Sequence, residues 1–343
     1  MMIHLLNQLP KALSTELFSS ANWQSILQLA ESLPPLSGGG LEVHLNAAAP
    51  RNDLMMRATS TDHGREVLAG RHADWHIPAA WLQGECWQQI QCFGKQWSNP
   101  DSTLYTAIEN VWLEFDILPE QSTAASTSTK PSIFFDLDRH RRLSEAARNS
   151  VLDLALTAFN RKLPVDAIAT LQSISNKLTS DSYVYYAGLM LSRSEPTLRV
   201  CMAGLTANTI LPALRSIGCG EHSHTLQTVI DKYTNVTDKL VLHLDVGEGI
   251  GSKVGIEIFK SENNWPVLFK SMSTAGFCTS NEASRVLNWP GNLPLTNDHF
   301  RASLSKAMKR DVRLLIKRIN HVKFVSTTSG DIETKAYLYF GYH

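Results

Sequence analysis

The chain has 343 residues, 43% of them apolar and 19% charged, so it can bury a sizeable core and is not a disordered polymer. Its 32 basic and 32 acidic side chains cancel, which removes the overall charge signature of a nucleic-acid or acidic-membrane binder. Five cysteines without a CxxC pair argue against a disulfide framework or structural zinc and fit a reducing cytoplasm, the expected location, and no apolar run approaches the ~20 residues of a membrane helix.

From the N-terminus, "MMIHLLNQLPKALS" lacks the basic start and long apolar run of a signal peptide. The first alternating run is "LEVHLNA" at 41–47, followed by turn residues and "LMMRATS", which predicts an antiparallel hairpin over 41–59. Residues 78–94 space Trp81, Leu82, Ile90 and Phe93 as on a helix. "VWLEFDI" at 111–117 and "SIFFDLD" form a second hairpin, 111–138, around a low-complexity loop at 121–129. A helix is predicted over 144–160, a third hairpin over 183–205, and two short helices over 206–218 and 225–233. "LVLHLDV" and "VGIEIF" make a fourth hairpin, 240–259. Thr279, with Glu282 three residues on, is a capping box that opens a helix over 279–289. The amphipathic pattern of 296–319 predicts one long helix, and 321–342 the last hairpin.

The hairpins start near residues 41, 111, 183, 240 and 321, so a unit of helix and strand pair recurs five times in one domain spanning 1–343. Each strand has an apolar face, such as Leu41, Val43 and Leu45 or Val111, Leu113 and Phe115, that must meet helices. The other face carries too many ionisable groups to form a dry core. The expected fold is α+β: a ten-stranded antiparallel β-barrel with a polar lumen, surrounded by an outer ring of α-helices. Ten strands leave room for ligands inside. An open sheet with its polar face in bulk water is the alternative.

Five such repeats resemble the ABBA-type prenyltransferase barrel over nearly the whole chain. The local motif is "TKAYLYF", whose Lys335, Tyr337 and Tyr339 alternate inward like the family's Lys-x-Tyr strand. The resemblance implies transfer of a prenyl group from an allylic diphosphate to an aromatic or peptide acceptor, in natural-product biosynthesis. Arg57, Arg199, Lys323, Lys335, Tyr337 and Tyr339 would then hold the diphosphate, because charge builds on that leaving group as its carbon–oxygen bond breaks. Glu42, Glu114 and Asp116 are the candidates to orient the acceptor or take its proton. Trp112, His44 and His243 would line the acceptor site.

Inward acids outnumber inward bases on this reading. Asp136, Asp245 and Glu257 are therefore candidate metal ligands, with Mg²⁺ the metal to consider and no other cofactor implied. Two other functions stay open: an accessory barrel that binds a peptide or cationic small molecule, and a metal-dependent enzyme using the lumen carboxylates. Of the remaining motifs, "SGGGLEVHL" precedes a strand and reads as a turn, not a phosphate cradle. "CGEHSH" at 219–224 reads as a solvated loop, and His72 and His76 as a weak metal pair. Cys201 falls on the lumen face, with nothing in its sequence neighbourhood to activate a thiol.

Overall fold

A computed structural model describes residues 2–9, 17–117, 130–137, 143–161, 165–178, 181–193, 197–235, 238–308 and 310–343. The loop at 121–129, Asp138 and the basic corner at 139–142 lie outside the described residues.

Eleven strands form one sheet: β1 (Gly38–Leu45), β2 (Asn52–Thr59), β3 (Asn110–Phe115), β4 (Ser132–Asp136), β5 (Tyr183–Leu189), β6 (Leu198–Leu205), β7 (Lys239–Val246), β8 (Ile250–Phe259), β9 (Gly291–Pro294), β10 (Leu314–Thr327) and β11 (Ile332–Tyr342). Strands β1 to β8 pair in sequence order, β8 pairs with β10, β10 with β11, and β11 with β1, all antiparallel. The sheet is thus a closed ten-stranded barrel, with β9 added outside the ring along the first residues of β10. Closure removes the exposed strand edges that an open sheet of this size would carry, so the open-sheet alternative is set aside.

Twelve described helices surround it: α1 (Ile3–Leu6), α2 (Ser20–Ser32), α3 (Gly64–Leu68), α4 (Glu85–Trp97), α5 (Thr103–Ala107), α6 (Glu145–Ala158), α7 (Val165–Lys177), α8 (Ile210–Ser216), α9 (Gly220–Tyr233), α10 (Trp265–Thr274), α11 (Ser280–Leu287) and α12 (Asp298–Met308). The hydrophobic core lies between the strands and this shell. Leu41, Val111, Leu113, Phe115, Ile133, Phe135, Val200, Leu242, Ile256 and Leu338 are fully buried there. Phe93 of α4 stacks on Phe159 at 4.5 Å and leans on Phe135 at 5.7 Å, which seats the shell on the second hairpin. The capping box at Thr279 and Glu282 opens α11.

Three local expectations change. The helix expected over 78–94 starts later: Gly84 takes an extended backbone, residues 81–83 form a separate turn, and α4 runs on to Trp97. The helix expected over 296–319 stops at Met308, and Leu314 begins β10. The residues "LLIKRI" fit either period, and pairing with β9 on one side and β11 on the other decides for strand. "CGEHSH" is not a solvated loop but the first turn of α9. His222 is 2% exposed there, with Nδ1 3.0 Å from the Ser326 hydroxyl. Among the described residues no helix is long and apolar enough to cross a membrane.

Candidate active site in the barrel lumen

Most described residues of the polar strand faces turn inward, where two cavities lie. The larger, about 540 Å³, lies toward the end where strands join helices, and the smaller, about 440 Å³, toward the hairpin turns. Glu114, Arg199, His243 and Lys323 line both, so they form a belt between the two chambers.

One side of the belt is a locked network. Glu42 accepts from the Tyr337 hydroxyl and, at 2.5 Å, from Lys335 Nζ. Its Oε1 is 3.2 Å from His44 Nε2, which lies equally close to Asp53 Oδ2. Burial alone would raise the Glu42 pKa, but the Lys335 ammonium and His44 hold it well below the usual carboxylate range. Arg199 donates to both oxygens of Asp245, at 2.7 and 2.9 Å, and Arg193 stands 3.7 Å from the same carboxylate. Two of the expected diphosphate cations, Arg199 and Lys335, are therefore already committed to carboxylates on neighbouring strands.

Glu114 is different. Its carboxylate makes no hydrogen bond or ion pair with any described residue, and it lines both chambers. Burial, then the negative charges of Glu42 and Asp116, push its pKa up to about 7. Asp116, by contrast, accepts from the Ser192 hydroxyl at 2.9 Å in the hairpin-end chamber.

Arg57 is one of the cations of the larger chamber, and its Nε donates to the Ser37 hydroxyl at 3.4 Å. Its guanidinium lies between two aromatic rings, 5.3 Å from the centre of Tyr339 and 5.8 Å from Trp112, and has no carboxylate partner among the described residues. The glycines of "SGGG" make this possible. A Cβ on Gly38 would come within 3.3 Å of the Tyr339 hydroxyl, and one on Gly341 within 2.1 Å, so the ring lies across bare backbone. The three glycines are not a turn but the first residues of β1: Gly38 and Gly40 leave room for Tyr339 and Met55 in the lumen, and Gly39 for Phe340 on the core side. Lys323 completes the belt, with Nζ 2.9 Å from His243 Nδ1. Burial, then the charge of Arg199, lowers its pKa.

The three expected metal ligands are not brought together. Asp136 is fully buried, and its oxygens accept from the backbone N–H groups of Glu109 and Asn110 and from the Asn110 side chain. Asp245 is held by Arg199, and Glu257 by His243 and His321, at 2.7 and 3.2 Å. A different trio, Glu42, His44 and Asp53, has ligand atoms within 4.8 Å of one another. That donor set does not fit a resident cation: Lys335 already sits on Glu42, and Arg51 lies 3.5 Å from Asp53. Among the other histidines, His72 accepts from the backbone of Asp74 and Trp75, while His76 contacts the Ala73 carbonyl at 3.1 Å, so the two are not aimed at a shared ion.

Several lining residues were not on the list of candidates. Lys239 shares the parity of Val241 and His243, and strict alternation would have found it; its ammonium lies over the rings of Tyr185 and Phe259. Arg318 could not be found that way. The register shifts between Ile319 and His321, so the inward parity flips within β10. The aromatic run Tyr183, Tyr185 and Tyr186 reads in the sequence as either a substrate wall or ordinary packing; a similar shift between Val184 and Tyr186 brings Tyr185 and Tyr186 to the chamber.

A closed antiparallel barrel with outer helices and a charged, aromatic lumen defines a prenyltransferase barrel, and the chain has that fold. No protein-family model matches the sequence, and no curated protein matches it. Solved structures do match in shape. The prenyltransferase PriB in its apo form is similar at a TM-score of 0.55 and 10% identity, over 98% of this chain and 96% of that one. The 5-dimethylallyltryptophan synthase from Streptomyces coelicolor gives 0.53 and 12%, over 96% and 95%. AnaPT from Neosartorya fischeri gives 0.52 and 14%, over 100% and 90%.

Proposed function

We propose that the protein is a prenyltransferase that moves an allylic prenyl group from its diphosphate to an aromatic acceptor inside the barrel, in natural-product biosynthesis. The observation that carries this reading is the larger chamber. It sets an aromatic-flanked Arg57, paired with no carboxylate among the described residues, within the same cavity as Glu114, whose pKa of about 7 suits a proton acceptor. The Streptomyces coelicolor enzyme, which shares the fold, was solved in complex with DMASPP and Trp. Tryptophan-like compounds and aromatic side chains of peptides are the acceptors to try first.

In this reading Arg57 and Lys323, with Lys239 and Arg318 at the rim, hold the diphosphate. They take up the negative charge that develops as the bond from oxygen to the allylic carbon breaks. Tyr185, Tyr186, Tyr337, Tyr339 and Trp112 wall off the cation with their ring faces and keep water out. The acceptor's aromatic carbon forms the new bond, and its proton passes to Glu114. Glu42, locked in its network, positions Tyr337 instead.

A second reading, a barrel that binds an anionic ligand without chemistry, is favoured by one fact: Arg199 and Lys335 are tied to carboxylates, which leaves fewer cations for a leaving group. One experiment separates the two. The protein is incubated with dimethylallyl and geranyl diphosphate and a tryptophan-like acceptor, with and without Mg²⁺, while melting temperature and diphosphate release are followed. Prenyl transfer requires a rise in melting temperature and release. A rise without release selects the binding barrel, and neither response with any allylic diphosphate overturns both.

A further inference from the structure

Cys201 on β6 faces the larger chamber and is 4% exposed. Its cross-strand neighbour on β7 is His243, and the sulfur lies 3.4 Å from His243 Nδ1. On the other side of the ring, His243 Nε2 is 2.7 Å from Glu257 Oε1 on β8. Thiol, imidazole and carboxylate stand in the order of nucleophile, base and orienting group. The three positions are far apart in sequence, and nothing local to any of them signals the arrangement.

The ring is set to receive a proton at Nδ1. Burial pushes the His243 pKa down to about 4, so at neutral pH the imidazole is uncharged, and the two donors at Nδ1, the Cys201 thiol and the Lys323 ammonium, leave the ring hydrogen to Nε2 beside the Glu257 carboxylate. Lys323 Nζ also reaches Nδ1, at 2.9 Å, so thiol and ammonium share one lone pair. Burial raises the pKa of the thiol itself, which rules out a resting thiolate. An allylic cation needs none: a neutral thiol captures it, provided a base removes the proton as the bond forms. A second feature points to a ligand at this wall. His321, 6% exposed in the same chamber, has an Nδ1 that makes no hydrogen bond, a cost that a bound polar group would relieve.

We propose that Cys201 is an alkylation site inside the barrel: when an allylic diphosphate is bound without an acceptor, the Cys201 thiol captures the prenyl group. The inference rests on the prenyl-transfer reading. The bond between the allylic carbon and oxygen breaks, and its electron pair leaves on the diphosphate. A sulfur–carbon bond forms, and the thiol proton passes to His243 Nδ1. Donor binding promotes the step, because Lys323 drawn toward the diphosphate leaves Nδ1 to the thiol. The thioether then occupies the chamber, so the barrel stops turning over when it meets donor alone.

The test is incubation of the full chain with dimethylallyl diphosphate and no acceptor, followed by digestion and mass mapping of all five cysteines, with diphosphate release followed in parallel. The peptide carrying Cys201 should gain one isoprene unit, and exposed Cys92 should gain none. Cys201→Ser should carry no adduct. His243→Gln, checked by thermal melting for an intact fold, should form it at least about a hundred times more slowly, the low end of what a positioned base contributes. Diphosphate release with Cys201 unmodified overturns this inference and leaves prenyl transfer standing. Equal adducts on Cys92 and Cys201 mean alkylation from solution and also overturn it. No release and no thermal shift overturn both.

Discussion

Glu114→Gln should stabilise the protein at alkaline pH while removing its proton acceptor. The wild-type carboxyl titrates at about 7 instead of 4.5, because burial and the charges of Glu42 and Asp116 disfavour the ionised form. That difference makes the ionised form about 3 kcal/mol worse in the folded protein than in the unfolded chain. The folded-state pKa is raised, so the favourable contribution is complete below 4.5 and is lost as pH rises through 7. Glutamine keeps the shape and never ionises. The variant should therefore match wild type near pH 4.5 and exceed it increasingly up to pH 8, by about 3 kcal/mol, or on the order of 4 °C in melting temperature for a chain of this length. The assay is thermal or urea unfolding of both proteins, without ligand, across that range. A difference that does not change with pH refutes the raised pKa and with it the choice of Glu114 as base. If the difference follows the expected curve, prenyl transfer by Glu114→Gln should fall by about a hundredfold or more.

Arg57 and Lys335 should separate binding from stability. Arg57→Ala loses its cation–π contacts, worth about 1 kcal/mol, and a long hydrogen bond to the Ser37 hydroxyl, yet should abolish the melting-temperature rise given by allylic diphosphates. Lys335→Ala leaves the buried Glu42 carboxylate without its ammonium and should cost about 3–5 kcal/mol in urea unfolding, with Glu42→Gln restoring much of it in the double variant. Gly188→Val should displace the Phe134 ring, which would lie 2.3 Å from the new Cβ, costing about 1–3 kcal/mol in unfolding and weakening geranyl before dimethylallyl diphosphate in the thermal-shift assay.

Much of the architecture was legible in the chain. Strict alternation in "VWLEFDI" separates Val111, Leu113 and Phe115, which meet the helices with no exposure, from Trp112 and Glu114, which line the lumen. A period of two can do this because adjacent strand residues point to opposite faces. The same rule failed where the period breaks. The register shift in β10 turns Arg318 inward against the parity of His321 and Lys323, since one extra residue flips the inward set and leaves no mark in composition. The pattern of 314–319 predicts helix because its apolar spacing fits both periods, and only the pairing with β9 and β11 decides for strand.

What the sequence by itself determined is which residues face inward along regular strands, because that depends on local geometry alone. Which charges are spent on each other was decided by tertiary structure. Lys335 and Arg199 look as available as Arg57 in the chain, but register places Arg199 directly opposite Asp245 and puts Lys335 opposite His44, one inward position along from Glu42, while Arg57 falls between Trp112 and Tyr339. Glu114 likewise owes its pKa to burial and then to Glu42, across the intervening β2, and Asp116 on its own strand, and Cys201 its base to the next strand. Interactions between charges depend on distance in space, and in a closed sheet that distance is set by register between strands far apart in sequence.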